Sequence, residues 1–170
     1  MANEVIGIAG CGAMGEPIAT RLLTAGFEVW VHDVRPRSDF GAIAAYMIED
    51  AVEFARRCNI VISVVRDVSQ TRSLLFGEAQ GIVHGDNPPE VLVISSTVSP
   101  RFIRQLLTEL PRKTELVDAA MSGAPYRARE GTLSFMIGGS DIVINRLMPI
   151  LDVVGNRHFR LGNVGMGMTT

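Results

Sequence analysis

Gly10-Cys11-Gly12-Ala13-Met14-Gly15 stands between the apolar, β-branched run Val5-Ile6-Gly7-Ile8-Ala9 and an apolar-periodic stretch from Pro17 to Ala25. A strand that runs straight into G-x-G-x-x-G, and a helix that starts straight out of it, leave few folds open. The first glycine makes a turn that a side chain would block. The second leaves room for backbone to approach a pyrophosphate, and the third lets helix and strand pack closely. The helix N-terminus then presents free N–H groups and the positive end of its dipole. Glycine loops also serve as plain tight turns in α/β domains without a ligand, so the flanking elements carry the weight. A second strand, Phe27 to His32, ends at Asp33, roughly 20 residues after Gly10. A carboxylate there accepts hydrogen bonds from the hydroxyls of an adenine ribose and repels a 2′-phosphate, which favours NAD. Arg35, Arg37 and Ser38 follow at once and could cradle a phosphate instead, so NADP stays open.

The rest of the chain alternates strand and helix patterns. Helices are expected over Asp50 to Arg57, Ser69 to Leu75 (closed by Gly77), Ser99 to Leu110 and Asp141 to Leu151. Strands are expected at Ile60 to Val65, Val91 to Ser95, Leu116-Val117, Thr132 to Ile137 and His158 to Leu161. Ser99-Pro100 starts its helix with a cap and a proline at the first position. The stretch from Arg35 to Ile48 is ambiguous, with Ala42 to Met47 a short strand or a helix end. This alternation implies an α/β fold, a doubly wound, mostly parallel sheet of the Rossmann dinucleotide-binding type with helices on both faces, in one domain spanning 1–170.

Charge and composition exclude several partners. The 170 residues carry a formal net charge of −2 with no long basic run, which argues against nucleic acid or an anionic membrane. No apolar run approaches the roughly 20 residues of a membrane span. Cys11 and Cys58 are too few for a disulfide framework, and a reducing cytoplasmic setting is the simpler reading. Cys11 reads as a small filler of the loop. His32, His84 and His158 are scattered, and no metal or catalytic role is assigned to them.

Three further segments carry a resemblance. Asp118-Ala119-Ala120-Met121-Ser122-Gly123-Ala124 is followed by Gly131-Thr132-Leu133 and by Met136-Ile137-Gly138-Gly139. These are similar to the D-A-P-V-S-G-G, G-T-L and M-x-G-G signatures of the β-hydroxyacid dehydrogenases, the 3-hydroxyisobutyrate and tartronate semialdehyde reductases among them. Ser95-Ser96-Thr97-Val98-Ser99-Pro100 resembles the family's S-T-x-x-P segment, and the Met14-bearing loop its G-x-G-x-M-G. The resemblance implies an oxidoreductase that passes hydride between nicotinamide and a short β-hydroxyacid. It places Gly12, Ala13, Met14 and Gly15 at the pyrophosphate, while Gly10 of the same loop and Asp33, Val34 and Arg35 at the end of the second strand are the further cofactor-binding candidates. It brings Val64, Val65 and Arg66 near the adenosine ribose and bridging phosphates, and Thr97 to the nicotinamide half. Ser122, Gly123 and Ala124 would hold the carboxylate of the substrate. Ala120, Ala124 and Arg66 depart from the family pattern, and the change at Ala124 leaves the substrate open.

The last ten residues, Leu161 to Thr170, resemble the family segment G-x-x-G-x-G-x-x-x-K. In that alignment the proton-transferring lysine falls just past Thr170, and an all-helical second domain would follow. The chain itself is therefore expected to bind cofactor and turn over little, the parent being a homo-oligomeric enzyme. An apolar patch is expected around Val164 to Met168, where the second domain would pack. The rival readings are an imine reductase or a sugar-acid dehydrogenase on the same scaffold, and a non-catalytic NAD(P)-binding module.

Overall fold

The computed structural model describes residues 3–78 and 80–169. Among them, seven strands form one sheet: Val5–Ala9 (β1), Glu28–His32 (β2), Ile60–Ser63 (β3), Val91–Ile94 (β4), Glu115–Ser122 (β5), Leu133–Gly138 (β6) and Gly155–Gly162 (β7). Their order across the sheet is β2-β1-β3-β4-β5-β6-β7. Every neighbouring pair is parallel except β5 and β6, which run antiparallel. The expected doubly wound, mostly parallel α/β fold is the one observed. The chain steps outward from β1 to β2, then returns to the other side of β1 for β3. That reversal opens a crevice beyond the carboxyl ends of β1 and β3, where sheets of this kind take ligands.

Among the described residues six α-helices cover the two faces: Gly15–Thr24 (α1), Ala51–Arg57 (α2), Val68–Phe76 (α3), Pro100–Glu109 (α4), Pro125–Glu130 (α5) and Asp141–Val154 (α6). The central strands are buried on both sides, which is why β3 and β4 are apolar almost without interruption. On one face Ile18 and Leu22 of α1 and Ile144 and Leu147 of α6 pack against Ile6, Ile8 and Val93. On the other, Phe54 of α2, Leu75 of α3 and Ile103 and Leu106 of α4 pack against Val61, Leu92 and Ile94.

Side-chain caps set most of the helix starts. Asp50, Asp67, Ser99 and Ser140 accept from the backbone N–H groups of Glu53, Gln70, Phe102 and Val143. Ser99 does so at 3.2 Å, with Pro100 at the first helical position, as its sequence implied. Ser99→Ala is expected to lower stability by about 1 kcal/mol. Urea unfolding checks this, and an unchanged midpoint would mean that water replaces the cap without loss.

Several elements differ from the sequence reading. The ambiguous stretch forms two short 3-10 turns, Arg37–Asp39 and Ala42–Tyr46, followed by a single bridge from Met47 to Val31. Strand β5 is eight residues long because the buried Asp118 is carried inside it rather than ending it. Strand β7 is also longer than expected. Helix α5 had no counterpart in the sequence reading, although Pro125 opens it and Gly131 closes it at φ 71°, the usual signals of start and stop.

The apolar patch expected at Val164 to Met168 is not present among the described residues. Met168 and Gly167 are buried, Val164 is half-buried, and only Met166 is exposed. The segment folds back over the sheet because Asp118 draws it in. Its carboxylate accepts from Gly165 N–H at 2.6 Å and from Met168 N–H at 3.0 Å. Thr170 lies outside the described residues.

Candidate functional site

Packing requires two of the three glycines of the loop, Gly10 and Gly15, but not Gly12. Gly10 has φ 93°, and a Cβ there would press on the Val64 backbone at 3.0 Å. Its N–H donates to the His32 carbonyl at 2.8 Å, which ties the loop to the end of β2. A Cβ on Gly15 would overlap the Gly10 carbonyl oxygen, so the third glycine is what lets α1 start against β1. At Gly12 a Cβ would meet nothing within 4 Å. The protein's own packing therefore does not demand glycine at that position, which is exposed at the N-terminal end of α1.

Beside the loop lies a cleft of about 720 Å³. It brings together the candidates Gly10, Gly12, Asp33, Val34, Arg35 and the Val64-Val65-Arg66 stretch at the end of β3. Val34 stands 97% exposed at its lip. Ala13, Met14 and Gly15 lie in the loop and the first turn of α1, outside the cleft walls. Thr97, exposed beyond β4, and Ser122, Gly123 and Ala124, exposed at the end of β5, are also outside them. Because β1, β3, β4 and β5 run parallel, all of these groups still lie along one edge of the sheet. The sequence reading missed the wall that α3 contributes through Ser69, Gln70 and Ser73. Their spacing along one helical face was the available signal. Gln70 also holds the Arg66 N–H at 3.0 Å.

Asp33 is the most heavily bonded group of the cleft. One carboxylate oxygen accepts from Cys11 N–H at 2.7 Å and the other from Arg35 N–H at 3.0 Å. The Arg35 guanidinium forks onto both oxygens, at 3.0 and 3.2 Å. Burial alone would raise the Asp33 pKa, but the Arg35 guanidinium and the two backbone donors outweigh it and hold the carboxyl below its usual value. Asp33 is therefore an anion at neutral pH. The Cys11 thiol is pushed up to about 12 by burial and then by Asp33, and burial does the same to Cys58, so both stay protonated and unreactive.

Farther along the edge, the hydroxyls of Ser63, Ser95 and Ser96 are buried without hydrogen-bond partners among the described residues. They cluster at the carboxyl ends of β3 and β4, just short of Thr97. Asp118 lies one strand farther on and is fully buried. Burial raises its pKa against the pull of the Gly165 and Met168 N–H groups. Among the described residues no group of three or more His, Cys, Asp or Glu is arranged to hold a metal ion, and no helix is long and apolar enough to cross a membrane.

Comparison with known proteins gives a consistent picture. The family model of the NAD binding domain of 6-phosphogluconate dehydrogenase matches residues 5–165. The chain is 34% identical over 169 residues to 2-hydroxy-3-oxopropionate reductase of Escherichia coli K12, covering 96% of this chain and 56% of that protein. It is 30% identical over 171 residues to L-threonate dehydrogenase of the same organism, again with 96% and 56% coverage. The crystal structure of 3-hydroxyisobutyrate dehydrogenase from Salmonella typhimurium superposes with a TM-score of 0.86 at 29% identity, covering 98% of this chain and 59% of that one. The chain thus spans a little over half the length of the relatives it matches.

Proposed function

The chain belongs to the family of the NAD-binding domain of 6-phosphogluconate dehydrogenase, and from that premise we propose that it is the single-domain, dinucleotide-binding half of a dehydrogenase acting on short hydroxyacids. The observation that carries this reading is the open space at Gly12, beside a loop whose other two glycines are explained by the protein's own packing. The pyrophosphate of the dinucleotide would lie in that space. The backbone N–H groups at the start of α1 face it, and the helix dipole favours its charge.

Each remaining candidate then has a task. Asp33, with Val34 and Arg35 beside it, receives the adenine ribose, while Val64, Val65 and Arg66 flank the adenosine half. Thr97 stands where the nicotinamide half reaches the ends of β4 and β5. Ser122, Gly123 and Ala124 offer a hydroxyl and backbone N–H groups at the carboxyl end of β5, a suitable donor set for a carboxylate. The dinucleotide, when bound, supplies the hydride acceptor or donor. The residues of this chain bind and orient, and none of them is assigned the proton transfer. The small carboxylate substrate and the homo-oligomeric assembly belong to this same proposal. Two buried, unpaired thiols suit a reducing cytoplasmic setting.

Calorimetric titration of the 170-residue chain with NADH tests the reading. Saturable 1:1 binding is expected, and Asp33→Ala should weaken it by about 10-fold, the loss of hydrogen bonds to a charged acceptor. Unchanged affinity in Asp33→Ala would remove Asp33 from the ribose site. Absence of NADH binding by the folded chain would overturn the assignment of the cleft.

A further inference from the structure

Arg127 on α5 lies against the segment proposed above for the substrate carboxylate, and its role rests on that reading. Gly123 has φ 143°, and a Cβ built there would meet the Arg127 Cδ at 3.0 Å and its Cβ at 3.3 Å. The apolar stem of Arg127 therefore runs along the Gly123 backbone, and its guanidinium ends only a few bonds farther on. Ser122, Gly123 and Ala124 are all exposed beside it. The backbone of Arg127 is fixed on both sides: its N–H donates to the Ala124 carbonyl at 2.9 Å, and its carbonyl accepts from Thr132 N–H at 2.9 Å. The side chain is braced as well. Nε donates to the Tyr126 hydroxyl at 3.1 Å, and the guanidinium carbon lies 5.7 Å from the centre of the Tyr126 ring. Nη1 and Nη2 are left without a protein partner among the described residues. Arg56, Arg57, Arg72 and Arg146 each lie against a carboxylate. Arg127 forms no such pair among the described residues, although Glu130 is exposed on the same short helix.

We infer that Arg127 is a specificity-determining residue, and that the substrate of this site is a short hydroxyacid with two carboxylates. One carboxylate lies on Ser122, Gly123 and Ala124, whose donors are neutral. The other meets the free Nη1–Nη2 edge of Arg127, where two parallel N–H groups match the two oxygens of a carboxylate. An arginine ordinarily loses much rotamer freedom when it takes an anion. Here the contact with Gly123 and the bond to Tyr126 restrict the side chain before a ligand arrives. Arg129, the other cation of α5, stands on a different side of the helix, since residues two apart do not face each other. Its carbonyl is turned to the Arg21 guanidinium of α1, at 3.0 Å. A monocarboxylate would leave the Arg127 guanidinium in water, whereas a dicarboxylate would gain charge-assisted bonds from it.

Titration of the chain with malate and with 3-hydroxybutyrate, in the presence of NADH and followed by amide NMR, tests this assignment. The two acids differ only in that malate carries a carboxylate where 3-hydroxybutyrate has a methyl group, and neither reacts with the reduced cofactor. Both should shift the Gly123 and Ala124 amides, with malate binding about 10-fold tighter through its charge-assisted bonds. In Arg127→Ala the preference should fall to about 2-fold or less, with the affinity for 3-hydroxybutyrate nearly unchanged. Arg127→Lys, which keeps the charge but not the planar edge, should retain part of the preference. Arg129→Ala removes the same charge from α5 and should leave the preference as it was. A thermal melt confirms that each variant is folded. Equal binding of the two acids, equal weakening of both in Arg127→Ala, or the same loss of preference in Arg129→Ala would overturn the role of Arg127 while leaving the carboxylate site in place. If neither acid shifts the Gly123 and Ala124 amides, the carboxylate site itself is overturned and the role of Arg127 with it.

Discussion

Gly15→Ala is expected to abolish dinucleotide binding and to cost about 3 kcal/mol of stability. Alanine is ordinarily the better helix residue, by about 1 kcal/mol. Here its methyl group would overlap the Gly10 carbonyl oxygen, and backbone cannot swing aside as the end of a flexible side chain can. Either α1 moves away from β1, which opens the core around Ile8 and Ile18, or the glycine loop loses its shape. Both outcomes move the N–H groups at the helix start away from the proposed pyrophosphate position. Gly12→Ala is the internal control. With nothing within 4 Å of its methyl group, it should leave the melting temperature close to that of the parent while still weakening NADH binding. Parallel melting and titration of the two variants separate packing from ligand space. Equal destabilisation by both would show that Gly12 is kept for folding, and the reading of the loop would fail.

Asp118→Ala has the second large effect expected. The carboxylate reaches 47 and 50 residues along the chain to the N–H groups of Gly165 and Met168. Removing it leaves buried donors unpaired at roughly 1–3 kcal/mol each. Part of that is offset, because an ionised carboxylate no longer has to be buried, so the net loss should be about 3 kcal/mol. For a chain of this size that lowers the melting temperature by roughly 10 °C. The loss should be local first. Amide exchange at Gly165 and Met168 should accelerate while the amides of β3 and β4 stay protected. Asp118→Asn restores one acceptor but turns an NH₂ donor toward the N–H groups, so it should recover only part of the loss. If Asp118→Ala melts like the parent with Gly165 still protected, another group must hold the segment.

Residues 163–169 also show how the sequence reading went astray there. The strand was read only at Leu116-Val117, with Asp118 opening the loop signature after it, and the apolar Val164–Met168 run was read as an uncovered surface. Either inference is sound for a residue considered with its neighbours. Together they are wrong, because a buried carboxylate and the N–H groups of Gly165 and Met168 satisfy each other across 47 and 50 residues of the chain.

What the sequence determined by itself is what rests on near neighbours and on backbone chemistry. The strand, glycine loop and helix from Val5 to Thr24 follow from β-branched runs and from positions that admit no side chain. The placing of Asp33 at the end of β2 and the capping of α4 by Ser99 are equally local, and the alternation of strand and helix was enough for a doubly wound sheet. Only the tertiary structure decided which distant groups share a partner. Arg35 turns back onto Asp33 and fills its acceptor positions, α3 supplies a wall of the cleft, and Asp118 draws in the segment around Gly165. Periodicity and dihedral preference act within a few residues, whereas the satisfaction of a buried charge depends on whatever the folded chain brings within 3 Å of it.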